Sequence, residues 1–79
     1  MITPGQCRAA RALLNISQKQ LADAAGLSLR TVQGFERGDR TLQSLAMDAI
    51  YRIMQAEGIS LITQSDWTGV KLKINNEPK

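Results

Sequence analysis

The side chains that most often carry chemistry are scarce in this chain of 79 residues. It has no histidine, which removes histidine-based triads, the commonest proton shuttle and the commonest metal ligand. A single cysteine, Cys7, builds no structural zinc site without histidine and closes no internal disulfide. The seven Asp and Glu residues are scattered singly, and none makes an obvious acid–base pair with another. No GxGxxG or GxxxxGKS/T phosphate loop is present. These absences argue against an enzyme, and no cofactor or metal is expected. What stands out instead is charge: ten Lys and Arg against seven Asp and Glu, a formal net charge of +3. A basic balance favours polyanionic partners, though weakly at this size of excess. Binding is therefore expected ahead of catalysis.

Such side chains need elements to hold them, and the length suits one domain with one modest core. Hydrophobic residues at 43% and charged residues at 22% are ordinary for a soluble globular chain. No signal-peptide pattern and no apolar run near the roughly 18 residues of a membrane span is seen, so a cytoplasmic location is expected. Thr3-Pro4 opens a first helix, with Gln6 placed to complete a capping box. Cys7, Ala10 and Leu14 recur at spacings of three and four and mark its buried stripe. Cys7 is then most simply a small buried hydrophobe. Ser17 and Gln20 announce a second helix that presents Leu21, Ala22 and Ala25 inward and ends at Gly26. Ser28 caps a third, from Leu29 to Arg37, with Val32 and Phe35 on its inner side and Gly38 as its stop.

The tight connection Gly26-Leu27-Ser28 sets the second and third helices near a right angle, so the third projects while Leu27 plugs the core between them. Thr41 or Ser44 caps a fourth, longer helix reaching Glu57, with Leu42, Leu45, Ala49, Ile50, Ile53 and Met54 as its apolar stripe. Beyond Gly58 the period changes. Ile59 to Thr63 and Val70 to Ile74 are strand-like, and Gln64 to Gly69 carries the turn residues between them. The expected architecture is mainly α: a four-helix domain over 1–58, a small β-hairpin over 59–74 and a polar tail over 75–79 that frays.

Ser17-Gln18, Leu21-Ala22, Ala25-Gly26-Leu27-Ser28, Val32 and Glu36-Arg37-Gly38 fall in one register. Together they resemble the lambda-repressor-like (Cro/C1-type, XRE-family) helix-turn-helix. The likeness is direct from Arg11 to Thr41 and extends over most of the chain, more loosely at the closing strands. It implies a sequence-specific transcriptional regulator, a repressor, that reads the major groove of double-stranded DNA with its third helix. It further implies a prokaryotic or phage homodimer on a palindromic operator. An antitoxin-like or adaptor module on the same fold, engaging a protein partner, is the alternative.

The resemblance also implies residue roles. Base contacts match Leu29, Arg30, Gln33 and Gly34, with Arg30 suited to a guanine edge, Gln33 to adenine and Leu29 to a thymine methyl. Gly34 offers no side chain, so either its backbone approaches DNA or specificity rests on fewer contacts. Phosphate contacts match Gln18, Ser28, Thr31, Arg37 and Arg40; the plain alternatives are a surface glutamine beside a cap for Gln18 and a solvated loop for Arg37 and Arg40. Arg11 and Glu36 match a largely buried structural ion pair. A dimer surface falls on Val70, Leu72, Ile74 and Trp67, unless the hairpin simply covers its own core. One tryptophan is no stacking platform for single strands.

Overall fold

Three of the four helices begin where a side chain satisfies free backbone amides. In the computed structural model, which describes residues 1–74, α1 (Pro4–Leu14) opens on Thr3. The Thr3 hydroxyl accepts from the Gln6 amide while Gln6 Oε1 accepts from the Thr3 amide, a reciprocal box. Ser17 and Gln20 repeat it for α2 (Gln18–Ala25). Ser28 caps α3 (Leu29–Arg37) by accepting from the Thr31 amide. α2 and α3 stop at Gly26 (φ 70) and Gly38 (φ 82), left-handed positions where an L side chain costs ~1–2 kcal/mol. The tail expected over 75–79 lies outside the described residues.

The fourth helix starts differently from the sequence expectation. α4 (Ser44–Ala56) has Gln43 at its N-cap with no side-chain cap bond, so neither Thr41 nor Ser44 serves. Leu42 is buried immediately before it. That anchor carries the chain into helical geometry between the two candidate caps. The α4 stripe is also shifted: Met47, Ile50 and Met54 are buried, whereas Leu45 is 84% exposed. At about 100° per residue Leu45 points almost directly away from Met47, so it takes no part in the core. Cys7 and Ala10 of α1, Leu21 and Ala22 of α2, and Val32 and Phe35 of α3 complete the interior.

β1 (Ile59–Gln64) and β2 (Trp67–Leu72) form an antiparallel hairpin in the register Ile59–Leu72, Leu61–Val70, Gln64–Trp67. Only Ser65 and Asp66 connect the strands, so the second strand starts three residues before the alternating run that marked it. Trp67 and Thr68 are good strand formers despite their turn-like neighbours. The face bearing Ile59, Leu61, Val70 and Leu72 packs on the helical core. A single buried amide ties this hairpin to α1. Gln6 Nε2 donates to the Ile62 carbonyl at 3.1 Å and to the Gly69 carbonyl at 3.0 Å, one on each strand. Its own Oε1 meanwhile closes the cap at Thr3. Among the described residues no helix is long and apolar enough to cross a membrane.

Gln6 therefore joins a local cap to the hydrogen bond of widest sequence separation among the described residues. Replacing it by methionine keeps volume but removes both donations and the cap acceptor. The expected cost is about 1–3 kcal/mol, read as a lowered urea midpoint at unchanged slope. A Gln6→Met variant with the parental midpoint would contradict this role.

Candidate nucleic-acid interface

One face of α3 is committed to the core and the other is open. Val32, Phe35 and Glu36 are buried. On the opposite side Leu29, Arg30 and Arg37 are exposed and Gln33 is half-buried. Arg30 belongs to none of the ion pairs among the described residues. At the first turn Ser28 Oγ lies 2.8 Å from Thr31 Oγ1, so the two hydroxyls are held together at the start of the helix. Arg37 Nε donates to Asp39 Oδ2 at 2.8 Å, but both side chains are well exposed. Such a pair contributes little and yields readily to a phosphate.

Gly34 lies on the outward side of α3 but is covered. It is buried, and a Cβ placed on it would meet both Cβ and Nε of Arg40 at 3.4 Å. The arginine lies over the helix where a larger residue at 34 would project. Of the two alternatives at Gly34, a backbone approach would meet this side chain from the following loop.

What fixes the pose of α3 is Glu36. Its carboxylate accepts from Arg11 in a two-pronged pair, Nε to Oε2 and Nη2 to Oε1, each at 2.7 Å. The Glu36 side chain is 1% exposed and that of Arg11 19%. Gln18 Nε2 adds a donation at 3.0 Å from the first turn of α2, and Cys7 Sγ another at 3.1 Å from α1. Arg8 Nη1 donates to the Glu36 carbonyl, and Arg11 Nη1 to that of Ile16. Burial by itself would raise the Glu36 pKa. The donations from Arg11, Gln18 and Cys7 outweigh it and hold the carboxyl below its ordinary range. The bond to Glu36 in turn strengthens protonation of Arg11. Burial, then the bond to Glu36, pushes the Cys7 thiol up, so it stays a protonated donor.

Sequence reasoning read Cys7 as a plain hydrophobe and gave Arg8 no part. The signal was helical spacing: Cys7, Arg8 and Arg11 lie within one turn, so a face that brings Arg11 to Glu36 brings the others. Gln18 leans on α3 through that same carboxylate. The four residues named for a dimer surface do not share one face. Val70 and Leu72 are half-buried against their own core, whereas Trp67 and Ile74 are each 71% exposed. Strand alternation puts Trp67 on the opposite face from Val70 and Leu72. Among the described residues no cluster of carboxylate or thiol groups is arranged to hold a metal.

Removing the Glu36 charge strands Arg11. Glu36→Gln is expected to cost about 3 kcal/mol, measured by denaturant unfolding near neutral pH. Because the folded-state pKa of Glu36 lies below its unfolded value, its contribution is complete above the ordinary carboxylate range. It is lost as pH falls through the folded value. The stability gap between the parent and Glu36→Gln should therefore narrow on acidification. A gap that stays constant or widens would contradict the assignment.

The sequence matches the family model described as Helix-turn-helix, HTH_3, over residues 8–61. No curated protein matches the chain. The matched stretch contains both partners of the buried pair, the α2–turn–α3 unit and the open face of α3. Its family comprises DNA-binding regulatory domains rather than enzymes. The chain belongs to the lambda-repressor-like, Cro/C1-type helix-turn-helix family of DNA-binding regulators.

Proposed function

We propose that this protein is a sequence-specific repressor that lays α3 in the major groove of a palindromic operator and acts as a homodimer. The open face of α3 carries the reading. Arg30 and Leu29 stand exposed at the end of the helix that enters the groove first in this family, and Gln33 follows one turn later. A guanidinium matches the paired acceptors of guanine, an amide those of adenine, and an aliphatic side chain the thymine methyl. Around them Gln18, Ser28, Thr31 and Arg37 are phosphate-contacting groups. Gln18 and Ser28 sit where helix amides and dipole favour an anion.

One such unit reads few bases, so tight specific binding calls for a second copy. Two α3 helices related by a two-fold axis address successive major grooves about 34 Å apart. The hairpin supports this pairing through the exposed Trp67 and Ile74 and the unpaired outer edges of a two-stranded sheet, not through Val70 and Leu72. An operator-bound regulator of this kind works in the cytoplasm of a prokaryotic or phage-infected cell.

Selection of bound sites from random duplex DNA, with the solution mass recorded alongside, tests the proposal. The expected result is an enriched palindrome whose half-sites lie about one helical turn apart, bound by a dimer. Affinity should fall steeply with salt. Arg30→Ala should cost about 1–3 kcal/mol at one base pair and relax preference there, while Gln18→Ala weakens all sequences alike. A protein that enriches no sequence but co-purifies with a stoichiometric protein partner would instead be the adaptor.

A further inference from the structure

The loop after α3 contributes a side chain to the face that enters the groove. Position 34 lies four residues after Arg30 and three before Arg37, on the outward stripe of the helix. Glycine there is nevertheless buried, and the group that buries it is Arg40, whose Cβ, Nε and Cδ lie 3.4, 3.4 and 3.7 Å from the site of a Cβ on Gly34. The arginine runs back along α3 toward its first turns, with Nη1 3.5 Å from Thr31 Oγ1. That hydroxyl is itself held at 2.8 Å by Ser28.

The backbone on either side of Arg40 is pinned. The Asp39 amide donates to the Gly34 carbonyl at 2.9 Å, and Leu42 is buried two residues on. Asp39 is engaged by Arg37 and leaves Arg40 outside the ion pairs among the described residues. A guanidinium has five N–H donors. Here only Nη1 meets a protein acceptor among the described residues, at the long limit of a hydrogen bond.

We propose that Arg40 is a base-reading, specificity-determining residue, delivered onto the outward face of α3 through the notch at Gly34. Its target is a guanine edge in the major groove, not a phosphate. The inference rests on the groove-reading role of α3 argued above. The absence of a side chain at 34 is then no loss of a contact. The notch exchanges a side chain rooted in the helix for a longer, planar one rooted in a pinned loop. The Thr31 hydroxyl lies beside the guanidinium, whose other donors meet no protein acceptor among the described residues.

Site selection and competition binding on the full chain test this, using the parent, Arg40→Ala, Arg40→Lys and Gly34→Leu. Arg40→Ala should abolish preference for guanine at one base pair, different from the pair affected by Arg30→Ala, with about tenfold or greater loss of discrimination there. Arg40→Lys should lose the same preference while keeping the parental salt dependence, because charge remains but the bidentate fork does not. Gly34→Leu keeps the arginine yet extends a side chain beyond the Cβ position into its seat, and should weaken preference at that same pair. Circular dichroism on each variant establishes that it is folded. If Arg40→Ala lowers affinity equally for every sequence and reduces the salt slope by about one, Arg40 is a phosphate contact and the proposal fails. An unchanged preference in Gly34→Leu overturns the role of the notch. A parent protein that selects no sequence, with every variant folded, overturns the groove-reading role itself.

Discussion

Glu36 is the only acidic side chain buried among the described residues, and the orientation of α3 depends on how it is satisfied. An isolated carboxylate in that position would be prohibitively costly, and a loose pair would recover little of the desolvation. The site meets the cost with two donations from Arg11, one from Gln18 and one from Cys7. Those donors come from α1 and α2, so the last turn of α3 is bound to both preceding helices through one group. Apolar residues of similar volume would pack there with equal or greater stability. They would not fix direction. A two-pronged pair admits one orientation of guanidinium against carboxylate, and the outward stripe of α3 inherits that orientation.

A buried amide does for the hairpin what the Glu36 carboxylate does for α3. Gln6 caps α1 with its oxygen and holds both strands with its nitrogen. The hairpin thereby packs chiefly on α1 and α4 rather than on α3. Cap, glycine stop and projecting helix then act in series. Ser17 and Ser28 start the two helices, Gly26 and Gly38 end them, and the short turn lifts α3 clear. Its polar outer residues have no intramolecular work comparable to that of Glu36.

Much of this was legible in the sequence because it is local. Capping boxes at Thr3/Gln6 and Ser17/Gln20 and glycines at helix ends are read from neighbours three or four residues apart, and the helices formed where those signals lie. The start of α4 was misjudged because two cap-type residues competed and a buried Leu42 between them decided the matter. Leu45 was miscounted since a stripe of large apolar residues admits more than one phase, and only packing against α2 and β1 selects the Met47–Ile50–Met54 face. The wider grip on Glu36 was hidden for a different reason. Its donors are far apart in sequence, and a cysteine gives no sign of whether its thiol will face carbon or a carboxylate. Arg40 over Gly34 was similarly invisible: spacing says nothing of where a loop side chain comes to rest.

Operator reading requires the outer stripe of α3 to be the surface that meets DNA. Backbone amide shifts of the isotope-labelled protein, followed while its selected duplex is added, test that directly. The largest changes should fall on Ser28 to Arg40 and on Gln18, with the interior of α4 unmoved. Changes confined to the hairpin around Trp67, with Arg30 and Gln33 undisturbed at saturation, would contradict the groove-reading role of this helix.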